Sequence, residues 1–364
     1  MTARTIRVLD LFAGAGGLTA GFHAASSRFR SIAAVEMDPE AAASYRATFP
    51  KTDVYAGAIQ DWLAEGTIPT SVDVVVGGPP CQGFSTLGKR DAEDARNRLW
   101  EQYAQAILRA RPRYFVMENV PAFSKSPQYR DLLGATGPGE VLDGYSLDLR
   151  VLNAADYGAP QARRRAVLIG HRYDMAVPGF PEPTHSPDGG GDLPPYRTVR
   201  QTLLGVPAQP DMDDVFASRR VKVGARQVPG AFTPRELHVS RRYGEMSLDR
   251  FAAIPPGGDR RDLPDHLKAP CWRRHVGGAR DVMGRLHWDR PSVTIRTGFT
   301  KPEKGRYLHP SEDRAITHYE AALLQGFPDT HRFIGSRTSI ARQIGNAVPV
   351  QLGAAVARRL LEHL

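Results

Sequence analysis

The chain has little of what would place it in a membrane, an oxidising compartment or a zinc-bound fold. No stretch of its 364 residues approaches the roughly 18 uninterrupted apolar residues of a spanning helix. The apolar opening Ile6–Phe12 is broken by Asp10 and runs straight into glycines. No membrane partner is expected, and a cytoplasmic location is. Its two cysteines, Cys81 and Cys271, lie 190 positions apart and cannot form a disulfide framework. No histidine pattern beside them completes a four-ligand zinc site, so no metal is expected. A composition of 41% apolar and 24% charged residues excludes disorder and suits a globular chain of about two domains. Lysine is scarce, only seven of 48 basic residues, so the positive charge is mainly guanidinium, which forks onto phosphates and guanine edges. The net charge of +9 divides as −2 over residues 1–160, +7 over 161–290 and +4 over 291–364. That concentration suits a polyanionic partner, although an arginine-rich genome composition would also produce it.

From residue 5 to about 120, short β-rich runs alternate with helical periods, as a doubly wound α/β sheet requires. The runs are Ile6–Phe12, Ser31–Glu36, Val72–Val76 and Tyr114–Met117, with helical spacing over Leu18–Ala25, Pro39–Phe49 and Asn97–Arg111. Pro39 fits a first helical turn, and Pro112 stops the last helix. Leu147–Asn153 and Ala166–Gly170 add two strands, for six or more. From about 172 to 285 the texture changes to Pro, Gly and Arg, with six prolines between Pro178 and Pro195. After Trp288, helical patterns return at His318–Gln325 and Val350–Leu364, the last with Leu352, Val356, Leu360 and Leu361 on one face and so expected to lie against the first domain. The boundaries read as 1–171, 172–285 and a return to the first domain over 286–364.

Four segments carry chemistry. Asp10-Leu-Phe-Ala-Gly-Ala-Gly-Gly-Leu18 ends a strand and opens a helix, and Glu36 ends the next strand twenty positions beyond Gly16. Glycines admit a ligand to the backbone, and an acid at that distance binds ribose hydroxyls. Thr19 stands where the third glycine of a dinucleotide loop would be, which favours an adenosine other than NAD; a tight turn with no ligand is the alternative. Gly77-Gly-Pro-Pro-Cys81-Gln-Gly-Phe-Ser85 follows a buried strand, so Cys81 sits on a loop at the carboxyl end of a sheet strand, where such folds bind ligands. A small buried hydrophobe is the other reading of a lone cysteine. Cys271 lacks such a setting and reads as structural. Glu118-Asn119-Val120 closes another strand at the same edge, either in the cysteine's pocket or capping a helix. Gln161-Ala-Arg163-Arg-Arg165 enters a strand, with Arg163 and Arg165 on one face by its period of two and suited to phosphate or base contact.

In this order the segments resemble the bacterial DNA (cytosine-5) methyltransferases of restriction-modification systems. The resemblance covers nearly the whole chain: Asp10–Phe22, Glu36, Gly77–Ser85, Asn97–Leu99, Glu118–Val120, Gln161–Arg165, Arg314–Asp329 with Glu320-Ala-Ala and Gln325-Gly-Phe-Pro, and Gln343–Val350. It implies a Rossmann-like α/β fold of the S-adenosylmethionine-dependent methyltransferase type, with a smaller irregular target-recognition domain at 172–285. One departure stands out. After the third strand the family commonly has Gly-Asp-Ile/Val, its Asp contacting the adenine amino group, whereas this chain has Gly57-Ala58-Ile59. Asp61 or the backbone of Ile59 is the expected substitute.

The resemblance also implies roles. Cys81 is the thiolate that adds to cytosine C6, Glu118 the partner of N3, Arg163 the holder of O2, Arg165 that of the loop or a phosphate, and Asn119 the anchor of the strand end. S-adenosylmethionine is expected against Phe12, Ala13, Gly14, Gly16, Gly17, Leu18, Glu36, Met37, Ile59, Asp61, Pro79, Leu99, Asn346 and Val348. Double-stranded DNA is the expected partner, its target base flipped out of the stack. Gln82–Asn97 reads as a loop that closes over it, with Gly83 and Gly88 as hinges, Lys89, Arg90 and Arg96 on phosphates, and Gln82 and Ser85 filling the gap. The chain is expected to act as a monomer, with any cognate restriction endonuclease acting separately. A transfer-RNA cytosine methyltransferase would use the same pocket, but the Cys-Phe-Thr segment of that group is missing. A catalytically silent DNA-binding homologue would have no use for Cys81, Glu118 and Arg163, and a nicotinamide-dependent dehydrogenase explains neither the cysteine loop nor the arginines.

Overall fold

Valine-rich runs with no polar face require cover on both sides, and the fold supplies it. The computed structural model describes residues 4–65, 67–80, 99–211, 215–274, 277 and 281–364, and they fall into two compact units. The first holds Met1–Tyr157, Arg164–Thr184 and Val348–Leu364. Its strands are β1 (Ile6–Leu11), β2 (Phe29–Glu36), β3 (Asp53–Ala56), β4 (Val74–Gly77), β5 (Tyr114–Asn119), β6 (Tyr145–Asn153) and β7 (Arg164–Arg172). Its helices are α1 (Gly17–Ala25), α2 (Pro39–Thr48), α3 (Ile59–Glu65), α4 (Leu99–Ala110), α5 (Pro127–Gly134) and the C-terminal helix Val350–Leu361.

The seven strands lie in the order β3-β2-β1-β4-β5-β7-β6. The first five are parallel, and β7 runs antiparallel to both of its neighbours. The chain reverses its direction of winding between β1 and β4, the place where open α/β sheets bind ligands. Val8, Leu9, Leu11, Val74, Val75, Val76 and Phe115 are fully buried, as the middle of a two-sided parallel sheet demands. The strand at Asp53–Ala56 lies where the resemblance asks for one; its four residues leave no hydropathy signal. Pro39 occupies the first turn of α2, where Asp38 caps the amides of Glu40 and Ala41 at 3.0 and 3.1 Å.

The C-terminal helix packs on α1, burying Leu352, Val356 and Leu360. The two backbones nearly touch. A methyl group on Gly21 would stand 2.7 Å from the carbonyl oxygen of Val350 and 2.8 Å from the amide of Ala354.

The second unit holds Gly158–Arg163 and His185–Ala347. It contains α6 (Val199–Leu203), α7 (Val215–Ser218), the hairpin β8 (Arg220–Val223) and β9 (Arg226–Pro229), α8 (Glu245–Ala252), α9 (Pro270–Arg274), α10 (His318–Gln325) and α11 (Arg337–Asn346). The chain crosses between units at Tyr157/Gly158, Arg163/Arg164, Thr184/His185 and Ala347/Val348, and not at the expected 171/172 and 285/286. The physical reason is a set of ties from the irregular region to later residues, Arg314 donating to the Ala208 carbonyl at 2.8 Å, His238 lying 3.1 Å from the Thr317 hydroxyl and Phe232 bridging Phe333. Gln161 brings in residues 158–163 by donating to the Leu324 carbonyl at 3.2 Å and the Gln325 side chain at 2.8 Å. Residues 286–347 therefore belong with the irregular region, and only residues 348–364 return to the sheet. Cys271 is exposed on α9 rather than packed in a core.

An alanine side chain suits a helix better than glycine by about 0.5–1 kcal/mol, yet Gly21→Ala should lower stability by about 1–3 kcal/mol through overpacking. Urea unfolding followed by circular dichroism checks this; a midpoint equal to or above the parent's would show that α1 and the C-terminal helix have room to spare.

Candidate active site

Parallel register brings the chemistry to one edge of the first unit. Leu11 pairs with both Val35 and Gly77, and Gly77 with Met117, so β2, β1, β4 and β5 end side by side. The loop after β1 turns through Phe12, Gly14 and Gly16 at φ 55°, 55° and 89°. Gly16 is required there, because a Cβ would strike the Phe49 ring at 2.5 Å in a conformation that side chains already disfavour. Above Gly14, by contrast, a Cβ would meet nothing within 4 Å.

Glu36 holds this loop. Its carboxylate accepts from the amides of Gly14 and Asp38, both at 2.7 Å, and burial raises its carboxyl above the usual range. Four lone-pair positions minus two leave acceptors for ribose hydroxyls. Behind the loop, the Thr19 hydroxyl donates to Asp10 at 2.6 Å and lies 2.8 Å from the Tyr45 hydroxyl. Burial, with Glu36 adding to it, pushes the Asp10 carboxyl up to about 7 from an ordinary 3.8, against the lowering effect of the Thr19 bond. The residue that breaks the dinucleotide pattern thus has a structural task that glycine could not perform. In the sequence Thr19 shows only as a break in the glycine pattern, and Tyr45 carries no signal of its own.

The approach to the cysteine loop is tied to β5. Asn119 is buried, and its side-chain amide donates to the Pro79 carbonyl at 3.1 Å while its oxygen accepts from the Val120 amide at 2.8 Å. Glu118 caps no helix: the short turn Pro121–Lys125 begins at Val120 without a side-chain cap. Instead Glu118 accepts from Arg165 Nε at 2.7 Å, with both side chains nearly buried. Its other oxygen lies 3.1 Å from where a Cβ of Gly78 would be. Gly78, unmarked in the sequence reading, is therefore the residue whose lack of a side chain lets the loop pass the carboxylate.

Arg163 and Arg165 part company. Arg165 lies on β7 in the first unit, whereas Arg163 precedes the strand and belongs to the second. There Arg163 is 2% exposed and donates to the Ile295 and Gly345 carbonyls at 2.7 and 3.0 Å. The paired fork on one strand face is not what the backbone builds, because β7 begins only at Arg164.

The other expected residues differ in what they offer. Met37 is 70% exposed at the end of β2, and Phe12 and Leu99 are partly buried against the sheet's core. Ala13, Leu18 and Ile59 turn their side chains inward, Leu18 within 3.2 Å of Gly353's added Cβ, so only their backbones remain for a ligand. Gly17 begins α1. Asp61 is exposed in the first turn of α3, three residues beyond Ala58. Val348 opens the first unit's last segment, and Asn346 is exposed at the end of α11 in the second. Cys81, Gln82, Ser85, Lys89, Arg90 and Arg96, with the rest of Gln82–Asn97, lie outside the described residues. Among the described residues no cluster of three or more metal-ligating side chains occurs, and no helix is long and apolar enough to cross a membrane.

Comparison with known proteins converges on one family. The profile described as C-5 cytosine-specific DNA methylase matches residues 6–362. The chain is 34% identical over 365 residues to the type II methyltransferase M1.HphI of Haemophilus parahaemolyticus, covering 98% of this chain and 87% of that one. It is 35% identical over 378 residues to M.XorII of Xanthomonas oryzae pv. oryzae, covering 98% and 84%. Among solved structures, a DNA modification methyltransferase described as encoded within an E. coli prophage superposes with a TM-score of 0.69 at 24% identity over 99% of both chains.

Asp10 gives a pH signature. Its folded-state value of about 7 exceeds the ordinary 3.8, so its contribution to stability is complete below about pH 4 and declines as pH rises toward 7. Asp10→Asn imitates the protonated form at every pH. The stability of the parent relative to this variant should therefore fall between pH 4 and 7, by at most roughly 1.4 kcal/mol per pH unit, and level off above. Parallel denaturation curves across that range would show that Asp10 ionises freely.

Proposed function

Because this chain belongs to the C-5 cytosine-specific DNA methylases and is a DNA (cytosine-5) methyltransferase of the restriction-modification type, we propose that the carboxyl edge of its sheet is where the cytosine is methylated. The observation that carries this reading is the bond from the Asn119 amide to the Pro79 carbonyl. It ties the strand bearing Glu118 to Pro79, two positions before Cys81 in the sequence, and so supports a carboxyl and a thiol acting at this edge.

The residues of the glycine loop suit S-adenosylmethionine. Glu36 offers a fixed carboxylate for the ribose, the space above Gly14 admits a ligand to the backbone, and Phe12, Met37, Pro79 and Leu99 provide apolar walls. When bound, this cofactor supplies an electrophilic methyl group. Ala58 removes one hydrogen bond to the adenine, a loss of order 1 kcal/mol, and exposed Asp61 on α3 is its substitute.

Cytosine C5 is a weak nucleophile until a thiolate adds to C6. Cys81 forms the S–C6 bond, and the electron pair of the C5–C6 double bond moves into the ring, making C5 enamine-like and charge-rich at N3. Glu118 meets N3 with a hydrogen bond or proton, and Arg165 keeps the carboxyl aimed. C5 would then bond to the methyl carbon as the sulfonium S–CH3 bond breaks and leaves a neutral thioether; a base or water takes the C5 proton, and its electron pair re-forms the C5–C6 double bond as the S–C6 bond breaks and frees the Cys81 thiolate. Arg163 is the holder of the cytosine O2, and its guanidinium also donates to the carbonyls of Ile295 and Gly345. The second unit, basic and irregular, is the part that recognises the target in duplex DNA, and the chain works as a monomer beside a separate endonuclease.

Cys81→Ala should abolish methyl transfer while leaving DNA binding within about twofold, and the covalent adduct formed with 5-fluorocytosine DNA should vanish with it. Methylation surviving in that variant would sink the covalent route. Glu118→Gln should slow the chemical step by about 10²–10⁴-fold with little change in cofactor affinity; an undiminished single-turnover rate removes Glu118 from the chemistry. Asp61→Ala should weaken cofactor binding about fivefold, the equivalent of about 1 kcal/mol. A dissociation constant identical to the parent's would leave Ala58 uncompensated.

A further inference from the structure

Between Val215 and Arg235 the second unit carries five basic residues, Arg219, Arg220, Lys222, Arg226 and Arg235, and no acidic one. Four of these stand on or beside the hairpin β8–β9. Its register pairs Arg220 with Pro229, Val221 with Val228, Lys222 with Gln227 and Val223 with Arg226. Directly opposed residues share a face, and successive residues alternate. One face therefore presents Arg220, Lys222 and Gln227, all exposed. The other carries the three valines, with Val228 buried at 4% and α7 packed against β9. Gly224, at φ 58°, closes the ribbon in a two-residue turn with Ala225, which keeps the strands tightly paired.

Neighbouring Arg219, though exposed, is engaged by the protein itself: it pairs with Glu236 and lies over the Phe232 ring at 5.1 Å. The outward face is less tied: Arg220 donates to the Gln227 carbonyl at a long 3.4 Å. It alternates with the strand period, so Arg220 and Lys222 are about 6.7 Å apart, close to two base-pair steps of about 3.4 Å. A two-stranded ribbon fits a major groove about 12 Å wide. A surface built for phosphate alone needs only cations, yet the residue opposite Lys222 is the neutral Gln227, whose amide can donate and accept at an adenine edge as lysine and arginine donate at guanine.

We propose that the outward face of β8–β9 enters the major groove of duplex DNA and that Arg220, Lys222 and Gln227 read purine edges of the target sequence. This rests on the reading of the second unit as the part that recognises the target. The ribbon supplies the specificity, and the sheet edge of the first unit supplies the chemistry.

Selection from a pool of randomised duplex DNA, read by sequencing, tests the proposal without requiring catalysis. The full-length parent is compared with Arg220→Ala, Lys222→Ala and Gln227→Ala, all at exposed positions where folding is little affected. The parent should enrich one motif, and the variants should lose roughly 5- to 150-fold of discrimination at one or two adjacent bases while the rest of the motif persists. An unchanged motif in all three variants overturns the proposal, as does a parent that enriches none. Uniform weakening with an intact motif, and a salt slope reduced by about 0.9 for each cation removed, overturns base reading in favour of phosphate contact. A parent that selects a motif the variants relax, yet transfers no methyl group, supports the hairpin and counts instead against the chemistry assigned to Cys81 and Glu118.

Discussion

The level ending of adjacent parallel strands is the constraint on which the rest of the site depends. β2, β1, β4 and β5 finish side by side, so four loops far apart in sequence emerge along one edge. Hydrogen-bond register fixes that edge, and the side chains that refine it are few. Glu36 accepts from the Gly14 amide of the glycine loop and from the Asp38 amide, and Asn119 holds Pro79 through its carbonyl. Each is a short polar side chain at a strand end and bonds to a neighbouring loop's backbone, a contact that survives changes of side chain in the loop it holds.

Much of what identifies the family is framework rather than chemistry. Arg314 and Glu320 form a buried two-bond pair at 2.8 Å, and Glu320 also completes a capping box with Thr317. Burial opposes the charge on Glu320, but the Arg314 guanidinium holds its carboxyl below the usual range. Gln343 donates to the Ile334 carbonyl at 2.8 Å, and a side chain on Gly345 would run into the Thr297 amide at 2.4 Å. Arg163 likewise donates to two buried carbonyls, those of Ile295 and Gly345. A buried guanidinium given to carbonyls is costly to replace, because substitution leaves those acceptors without a donor. A motif residue can thus be indispensable without meeting a substrate.

The sequence was most legible where local pattern and backbone chemistry agree. Buried β-rich runs ending in glycine or an acid mark β1, β2, β4 and β5, and Asp38-Pro39 marks the start of α2. It was least legible where tertiary pairing decides. The four-residue edge strand β3 leaves no periodicity of its own. The boundaries between units follow from side-chain ties such as Gln161 to Gln325, which span more than 160 positions and leave no trace in composition. The alternation expected for Arg163 and Arg165 presumed a strand that in fact begins one residue later. Thr19 looked like a defect in a glycine motif and proved to be the donor that satisfies a buried acid.

The C-terminal helix adds a consequence in time. It covers α1 so closely that Gly21 has no space for a methyl group, yet residues 185–347 of the second unit intervene before it is made. During synthesis the sheet emerges from the ribosome early but must wait, with one helix bare, for its cover. The first unit therefore cannot mature vectorially, and a chain halted anywhere before Val348 has the strands of the enzyme without their closure.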